Sequence, residues 1–261
     1  MTDSQPPVVS SALQPPRGAI VVGASSGIGA ALARKLAREG YLVAALGRRA
    51  DKLNDLCGEI NGELGQGRAR PYSHDATHYA EAPTLFQTIL GDLGQVEVVI
   101  YASGLLEPVA LSEYNFDKDR AMMEVNLLGA MAWLNQAALL FEHTGGGHIV
   151  GLSSIAGERG RVRSPAYNAS KAALNSYLES LRNRLTRKGV HVLTVKPGFV
   201  DTPMLKNADK KMWVISPEQA ADDIWRAIRG RKQTIFTPAR WRLVALALRH
   251  VPSVIFRRLS V

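Results

Sequence analysis

Apolar and polar positions fall into two alternating kinds of stretch along this chain. Gly18–Val22 is a short unbroken apolar run. After Gly23-Ala-Ser-Ser-Gly27-Ile-Gly29 the residues take up helical spacing until Gly40 stops them. Tyr41–Leu46 reads as a second strand, and its lack of polar alternation predicts burial on both faces. The alternation continues with a helix near Asp51–Ile60, a strand at Ala69–Ser73, a helix from Thr77 to Leu93 and a strand at Val96–Tyr101. A long helix is predicted through Arg120–Glu142, a strand at His148–Leu152, a helix from near Ser164, and strands at His191–Lys196 and Thr234–Thr237. Seven apolar strands separated by helices predict an α/β fold with one parallel seven-stranded sheet, doubly wound, with helices on both faces. No internal repeat and no second domain is visible.

The glycine loop refines that picture. Strand, glycine loop, helix and strand in this order form the first half of a Rossmann-type unit, expected over residues 17–238. The spacing is Gly-x3-Gly-x-Gly rather than Gly-x-Gly-x2-Gly, but the physics is shared. Gly23 permits the tight turn, Gly27 lets the backbone approach a pyrophosphate, and Gly29 lets the helix pack closely on the strand. At the end of the second strand, Gly47 stands where an NAD-preferring site carries a carboxylate, and Arg48 and Arg49 follow. A guanidinium can grip a 2′-phosphate that a carboxylate would repel, so NADP(H) is the expected cofactor, with Arg48 favoured over Arg49 as the contact.

Composition excludes several classes. A 46% hydrophobic content supports a sizeable core, and one cysteine, Cys57, excludes disulfide frameworks and multi-cysteine metal sites. The six histidines form no HExxH-type cluster, so no metal is expected. Residues 1–16 are rich in Pro and Ser and read as a disordered leader without signal-peptide features, which predicts a cytoplasmic location. The net charge of +9 is unevenly placed. From Ile224 onward there are nine basic residues and no acid, which leaves residues 1–223 with 23 of each sign. Charge therefore gives no support to nucleic-acid binding by the main domain.

Candidate chemistry lies at Tyr167-Asn-Ala-Ser-Lys171, where residues four apart share one helical face. A phenol titrating near pH 10 needs a neighbouring cation to serve as an acid–base group at neutral pH, and Lys171 is placed to supply it. Ser154, at the end of the preceding strand, can donate a hydrogen bond to a substrate carbonyl. Asn126 stands in an apolar helix, where an amide needs a backbone or water partner.

GASSGIG, the VNLLG around Asn126, Ser153-Ser154, Tyr167-x3-Lys171 and Lys196-Pro197-Gly198-x-Val200-x-Thr202 together resemble the short-chain dehydrogenase/reductase family, over about residues 18–230. The resemblance implies that Tyr167 is the general acid/base, that Lys171 binds the nicotinamide ribose and lowers the Tyr167 pKa, and that Ser154 polarises the carbonyl. It implies that Asn126 anchors a water relay to Lys171, that Pro197, Val200 and Thr202 line the nicotinamide, and that Asp75 touches the adenine. Ser25, Ser26, Ile28, Ala102, Ser103 and Gly104 complete the implied cofactor surface, and homo-oligomers are implied as well. Three positions depart from the family pattern. Val22 replaces the usual Thr, Tyr101-Ala102-Ser103-Gly104 replaces Asn-Asn-Ala-Gly, and Ser26 stands where many NADP users carry a second basic residue.

Two regions bear on the substrate. The loop between Ser154 and Tyr167 carries Arg159, Arg161 and Arg163, which read either as a solvated basic loop or as a clamp for an anionic substrate. In the tail, residues 239–261, Trp241, Val244, Leu248 and Val251 fall at helical spacing and Pro252 divides it in two. It reads either as packing on the protein or as a peripheral membrane contact with arginines toward anionic headgroups. Ala156-Gly-Glu-Arg159, Gly104-Leu-Leu106 and Leu248-Arg-His-x-Pro252-x-x-Ile-Phe-Arg-x-Leu259 resemble one subgroup, the reductases of polyprenylphosphoryl 2-keto-pentoses. That subgroup implies a lipid-phosphate-linked sugar as the carbonyl substrate. Reduction of a soluble keto or acyl compound, and a non-catalytic cofactor-binding scaffold, are the competing readings.

Overall fold

The computed structural model describes residues 17–207 and 211–258; the predicted leader, 1–16, lies outside them. Seven parallel strands form one sheet: β1 (Arg17–Val22), β2 (Leu42–Gly47), β3 (Ala69–Ser73), β4 (Gln95–Tyr101), β5 (Gly147–Leu152), β6 (Val190–Pro197) and β7 (Thr234–Thr237). Their order is β3-β2-β1-β4-β5-β6-β7, so the winding reverses between β1 and β4. Ligands of open parallel sheets bind in the crevice at such a reversal, beyond the carboxyl ends of the strands.

The helices are α1 (Gly27–Arg38), α2 (Ala50–Leu64), α3 (Ala82–Leu93), α4 (Phe116–Met123), α5 (Gly129–Thr144), α6 (Pro165–Leu185), α7 (Pro217–Arg229), α8 (Trp241–His250) and the short α9 (Ser253–Phe256). One core cluster joins Val21, Leu36, Leu53 and Ile100 to Ile224 and Trp225, under α1, α2 and α7. The other joins Ile20, Phe86, Val99, Trp133 and Phe141 to Leu174 and Leu178, under α3, α5 and α6. The sheet is thus covered on both faces, as its unbroken apolar strands require. Cys57 is buried in α2, where burial pushes its thiol up to about 11 and leaves it unreactive.

Three elements differ from the sequence expectation. The helix expected from Thr77 begins at Ala82, after a 3-10 turn at Tyr79–Glu81, because Pro83 fits only a first helical turn. The long helix through Arg120–Glu142 is interrupted by one π-turn, Glu124–Leu128. There the Tyr101 hydroxyl donates to the Val125 carbonyl at 2.5 Å. Helix α7 went unread; its signal was the Ser216 cap, which accepts from Gln219 N at 3.1 Å, with Pro217 in the first turn.

At the amino ends of β5 and β6, His148 Nδ1 meets His191 Nδ1 at 2.9 Å, and His191 Nε2 donates to the Lys232 carbonyl at 2.8 Å. A neutral His191 then accepts at Nδ1, and His148 donates. Burial, and then the His191 charge, hold His148 down at about 4; burial also lowers His191. The unfolded chain takes up these protons near pH 6.5, so stability is full above that pH and is lost as pH falls towards 4. A His148→Asn variant should show a smaller loss of Tm between pH 7 and 4.5 than the wild type; parallel curves would contradict this.

Candidate active site

The glycine loop leaves β1 at the reversal. Gly23 N and Ala24 N both donate to the Leu46 carbonyl at 2.8 Å, and Ala102 N donates to the Val22 carbonyl at 2.7 Å, which ties the loop to both neighbouring strands. Gly23 has φ +94, and a Cβ there would meet Ser103 N at 2.4 Å. A Cβ at Gly29 would lie 2.1 Å from the Gly23 carbonyl oxygen, and one at Gly27 would lie 2.8 Å from the Thr202 methyl. Gly23, Gly27 and Gly29 are therefore required by close approach. With Ser25, Ser26 and Ile28 half-buried at the start of α1, they form an open amide cradle that fits a pyrophosphate.

Arg49, rather than Arg48, lies on this cradle. Its guanidinium donates to Ser25 Oγ at 2.9 Å, to the Ser25 carbonyl at 3.2 Å and to Ser26 Oγ at 2.8 Å. Arg48 is solvated, 66% exposed, with Asp75 Oδ2 at 3.9 Å. The sequence favours Arg48; in this fold Arg49 is the one whose guanidinium reaches the Ser25 and Ser26 side chains. Arg49 reaches back because it caps α2 over the loop, a tertiary contact that spacing does not encode. Asp75 Oδ1 accepts from Thr77 N at 3.0 Å and Thr77 Oγ1 at 2.9 Å, fixing the turn after β3 beside the cradle.

The acid–base cluster forms where β4, β5 and α6 end or begin. Ser164, at φ +49, carries the chain into α6, with Pro165 in the first turn, so Tyr167 and Lys171 lie one turn apart and both are buried. Lys171 Nζ donates to the Leu152 carbonyl at 2.9 Å and lies 5.9 Å from the Tyr167 ring centre. Ser153 Oγ donates to the Lys171 carbonyl at 3.0 Å, which joins β5 to α6. Ser154 Oγ accepts from Ala156 N at 3.1 Å, and its side chain acts on the Tyr167 phenol.

Asn126 is fully buried in the π-turn, as its need for partners requires. Its Oδ1 accepts from Leu105 N at 2.7 Å, and its Nδ2 donates to the Leu105 carbonyl at 2.9 Å and to Ser170 Oγ at 3.1 Å. A Cβ on Gly104 would lie 3.5 Å from Asn126 Oδ1 and 3.6 Å from Lys171 Nζ, so these three groups share one wall. Pro197 ends β6, and Val200 and Thr202 follow it in a segment that Asp201 N anchors by donating to the Ile215 carbonyl at 2.9 Å.

Burial pushes the Tyr167 phenol up, opposed by its hydrogen bond to Ser154 and by the charge of Arg161; Lys171 is not among its perturbers. Burial instead lowers Lys171 to about 8. Burial thus favours the protonated form of the Tyr167 phenol, the form that can donate a proton. Sequence reasoning also missed Met204, whose sulfur lies 4.0 Å from the Tyr167 hydroxyl. Of the arginine loop, Arg159 donates to the Leu248 and Val251 carbonyls and is therefore occupied by the tail, not by a ligand. Among the described residues the hydrogen bonds of the Arg161 guanidinium are both to Asn168 Oδ1, at 3.4 Å.

The tail itself packs on the domain. Trp241 and Ala245 of α8 are buried against Ile155, with Val244 and Phe199 around them, while Leu243, Leu246, Val254 and Ile255 face outward. No helix among the described residues is long and apolar enough to cross a membrane.

Comparisons with known proteins agree with this geometry. An uncharacterized oxidoreductase of Staphylococcus haemolyticus is 32% identical over 216 residues, covering 81% of this chain and 90% of the relative. One of Mycobacterium tuberculosis is 29% identical over 198 residues, covering 75% and 78%. A short-chain type dehydrogenase/reductase from Mycobacterium ulcerans has the same fold, with TM-score 0.77 at 24% identity over 84% of this chain and 87% of that one. A variant of the actinorhodin polyketide ketoreductase, solved with NADPH, superposes with TM-score 0.76 at 25% identity, over 85% of this chain and 95% of that one. Residues 17–213 match the short chain dehydrogenase family, which spans the glycine cradle, the Ser154–Tyr167–Lys171 cluster and the segment after β6; the chain belongs to that family and is an oxidoreductase.

Proposed function

We propose that this chain is an NADP(H)-dependent reductase that converts a ketone to a secondary alcohol. The observation that carries the reading is the buried cluster in which Lys171 Nζ and Asn126 Oδ1 meet at Gly104, with the Tyr167 ring centre 5.9 Å from Lys171 Nζ and the Ser154 side chain acting on the Tyr167 phenol. A bound nicotinamide would supply the hydride. Ser154 Oγ donates to the substrate carbonyl, and Tyr167 Oη gives its proton to that oxygen as the alcohol forms. Lys171 holds a proton at Nζ beside Gly104 and is placed to bind the ribose and to restore the Tyr167 proton. Asn126 keeps the π-turn and the Leu105 segment in register with Lys171.

NADP(H) is favoured over NAD(H) because Gly47 offers no carboxylate and two arginines follow it, one already on Ser25 and Ser26. Loss of a charge-assisted contact of this kind costs about tenfold or more in affinity. Arg49→Asp and Arg48→Asp should each raise the KM for NADPH by about that factor and leave NADH use little changed, with the larger effect at Arg49. Equal effects on both cofactors would oppose the assignment.

For the substrate we favour a lipid-phosphate-linked keto-pentose, met at the cytoplasmic membrane face by a homo-oligomeric enzyme. The subgroup resemblance supports it. So do the exposed apolar residues Leu111, Tyr114, Phe116, Val162 and Trp213 in the segments that follow β4, β5 and β6. Arg161, beside Tyr167, is the loop cation best placed for the phosphate. The test is NADPH oxidation against a polyprenylphosphoryl ketopentose made in situ by a partner oxidase, beside a panel of soluble ketones. Turnover of soluble ketones alone would move the reading to the simpler reductase. NADPH binding without any turnover would favour a scaffold.

A further inference from the structure

Glu158 has no part in the proposed chemistry, yet its side chain is completely buried four residues after Ser154. Its Oε1 lies 2.6 Å from Lys196 Nζ, itself only 7% exposed, and its Oε2 pairs with Arg249 of α8. One carboxylate thus joins three segments: the turn after the catalytic serine, the end of β6 immediately before Pro197, and the C-terminal tail. The next residue grips the same helix from its other end. Arg159 donates to the Leu248 carbonyl at 2.7 Å and the Val251 carbonyl at 2.5 Å, oxygens at the end of α8 that have no intrahelical donor, and its guanidinium stacks 4.0 Å over Phe256.

The tail is also wedged against both walls of the site. The Trp241 indole lies on the backbone of Gly198, where a Cβ would come within 1.9 Å of its nitrogen. The turn Ile155–Glu158 in turn presses on α6 at the catalytic lysine, since a Cβ on Gly157 would lie 2.7 Å from the Lys171 carbonyl carbon. Burying one acid between two bases is a poor way to gain stability, because desolvation opposes most of the attraction. It does fix geometry, since a carboxylate has two oxygens and each is assigned to a different segment.

We infer that Glu158 and Arg249 are positioning residues for the reaction: through them the tail holds the Ser154 turn and the segment after Pro197 at a fixed separation. This rests on the reductase reading of the site.

The test uses the full chain. Arg249 is 54% exposed, so Arg249→Met should fold, and it leaves Glu158 balanced by Lys196. Displacement of a catalytic group by a fraction of an ångström should lower kcat about tenfold. The NADPH dissociation constant, read by fluorescence, should change by less than kcat does, because the glycine cradle is built on β1 and α1 whereas α8 packs on Ile155 and β7. Arg249→Lys, which keeps the charge, should recover most of the rate. Wild-type kcat in Arg249→Met, or a loss that Lys does not rescue, would overturn the inference. Hydrogen exchange separates this from failure of the reductase reading. Even if the wild type reduces no ketone, amides of 153–159 should lose protection in Arg249→Met while β1 and β4 keep theirs, and unchanged protection would overturn the inference independently.

Discussion

A Lys171→Met variant should be more stable than the wild type at pH 7 and nearly inactive. Lys171 is 4% exposed, its ammonium donates to the Leu152 carbonyl, and among the described residues no carboxylate pairs with it. Burial lowers its pKa to about 8 from the usual 10.5, so the folded protein holds this proton less tightly than the unfolded chain. Stability therefore rises with pH between about 8 and 10.5, and at pH 7 the wild type bears the full cost of a buried charge. Met fills similar space without that charge and should raise Tm by about 3–6 °C at pH 7, a gain that shrinks above pH 8. Activity should fall by about a hundredfold or more, as for loss of a group acting in proton transfer. The wild-type rate should itself decline above about pH 8, where Lys171 loses its proton. Thermal melts and NADPH oxidation across this pH range check both halves; a lower Tm for the variant at pH 7 would contradict the account.

That trade between stability and chemistry was partly legible in the sequence. Tyr167 and Lys171 are spaced on one helical face, and continuous apolar runs such as Ala19–Val22 and Val98–Tyr101 can only be strands covered on both sides. The sheet followed from them. What the sequence hides is contact between distant segments. Glu158 reads as one more loop charge, yet it is buried between Lys196 of β6 and Arg249, which arrives from 91 residues away. Arg159 looks equal to Arg161 along the chain, but only Arg159 meets the carbonyls that end α8. The π-turn depends on the Tyr101 hydroxyl reaching Val125, so a departure from the family pattern at Tyr101 braces the segment that carries Asn126. Local spacing likewise shows that Tyr167 and Lys171 share a face, while the burial that dominates the titration of both depends on segments far away in the chain.

The largest single effect is expected at Tyr167. Its phenol is buried and protonated, and Phe fills the same space without the hydroxyl. The nearest contacts of that hydroxyl are the Ser154 side chain and the Met204 sulfur, so its loss should cost little stability. The glycine cradle and Arg49 are untouched, and NADPH affinity should stay within about twofold. Proton transfer by a positioned side chain contributes roughly 10²–10⁴ in rate, and all of it should be lost. The most direct measurement is single-turnover oxidation of saturating NADPH by a reducible ketone, with wild type and Tyr167→Phe at equal cofactor occupancy. The account predicts a rate at least about a hundredfold lower in the variant, and equal rates would contradict it.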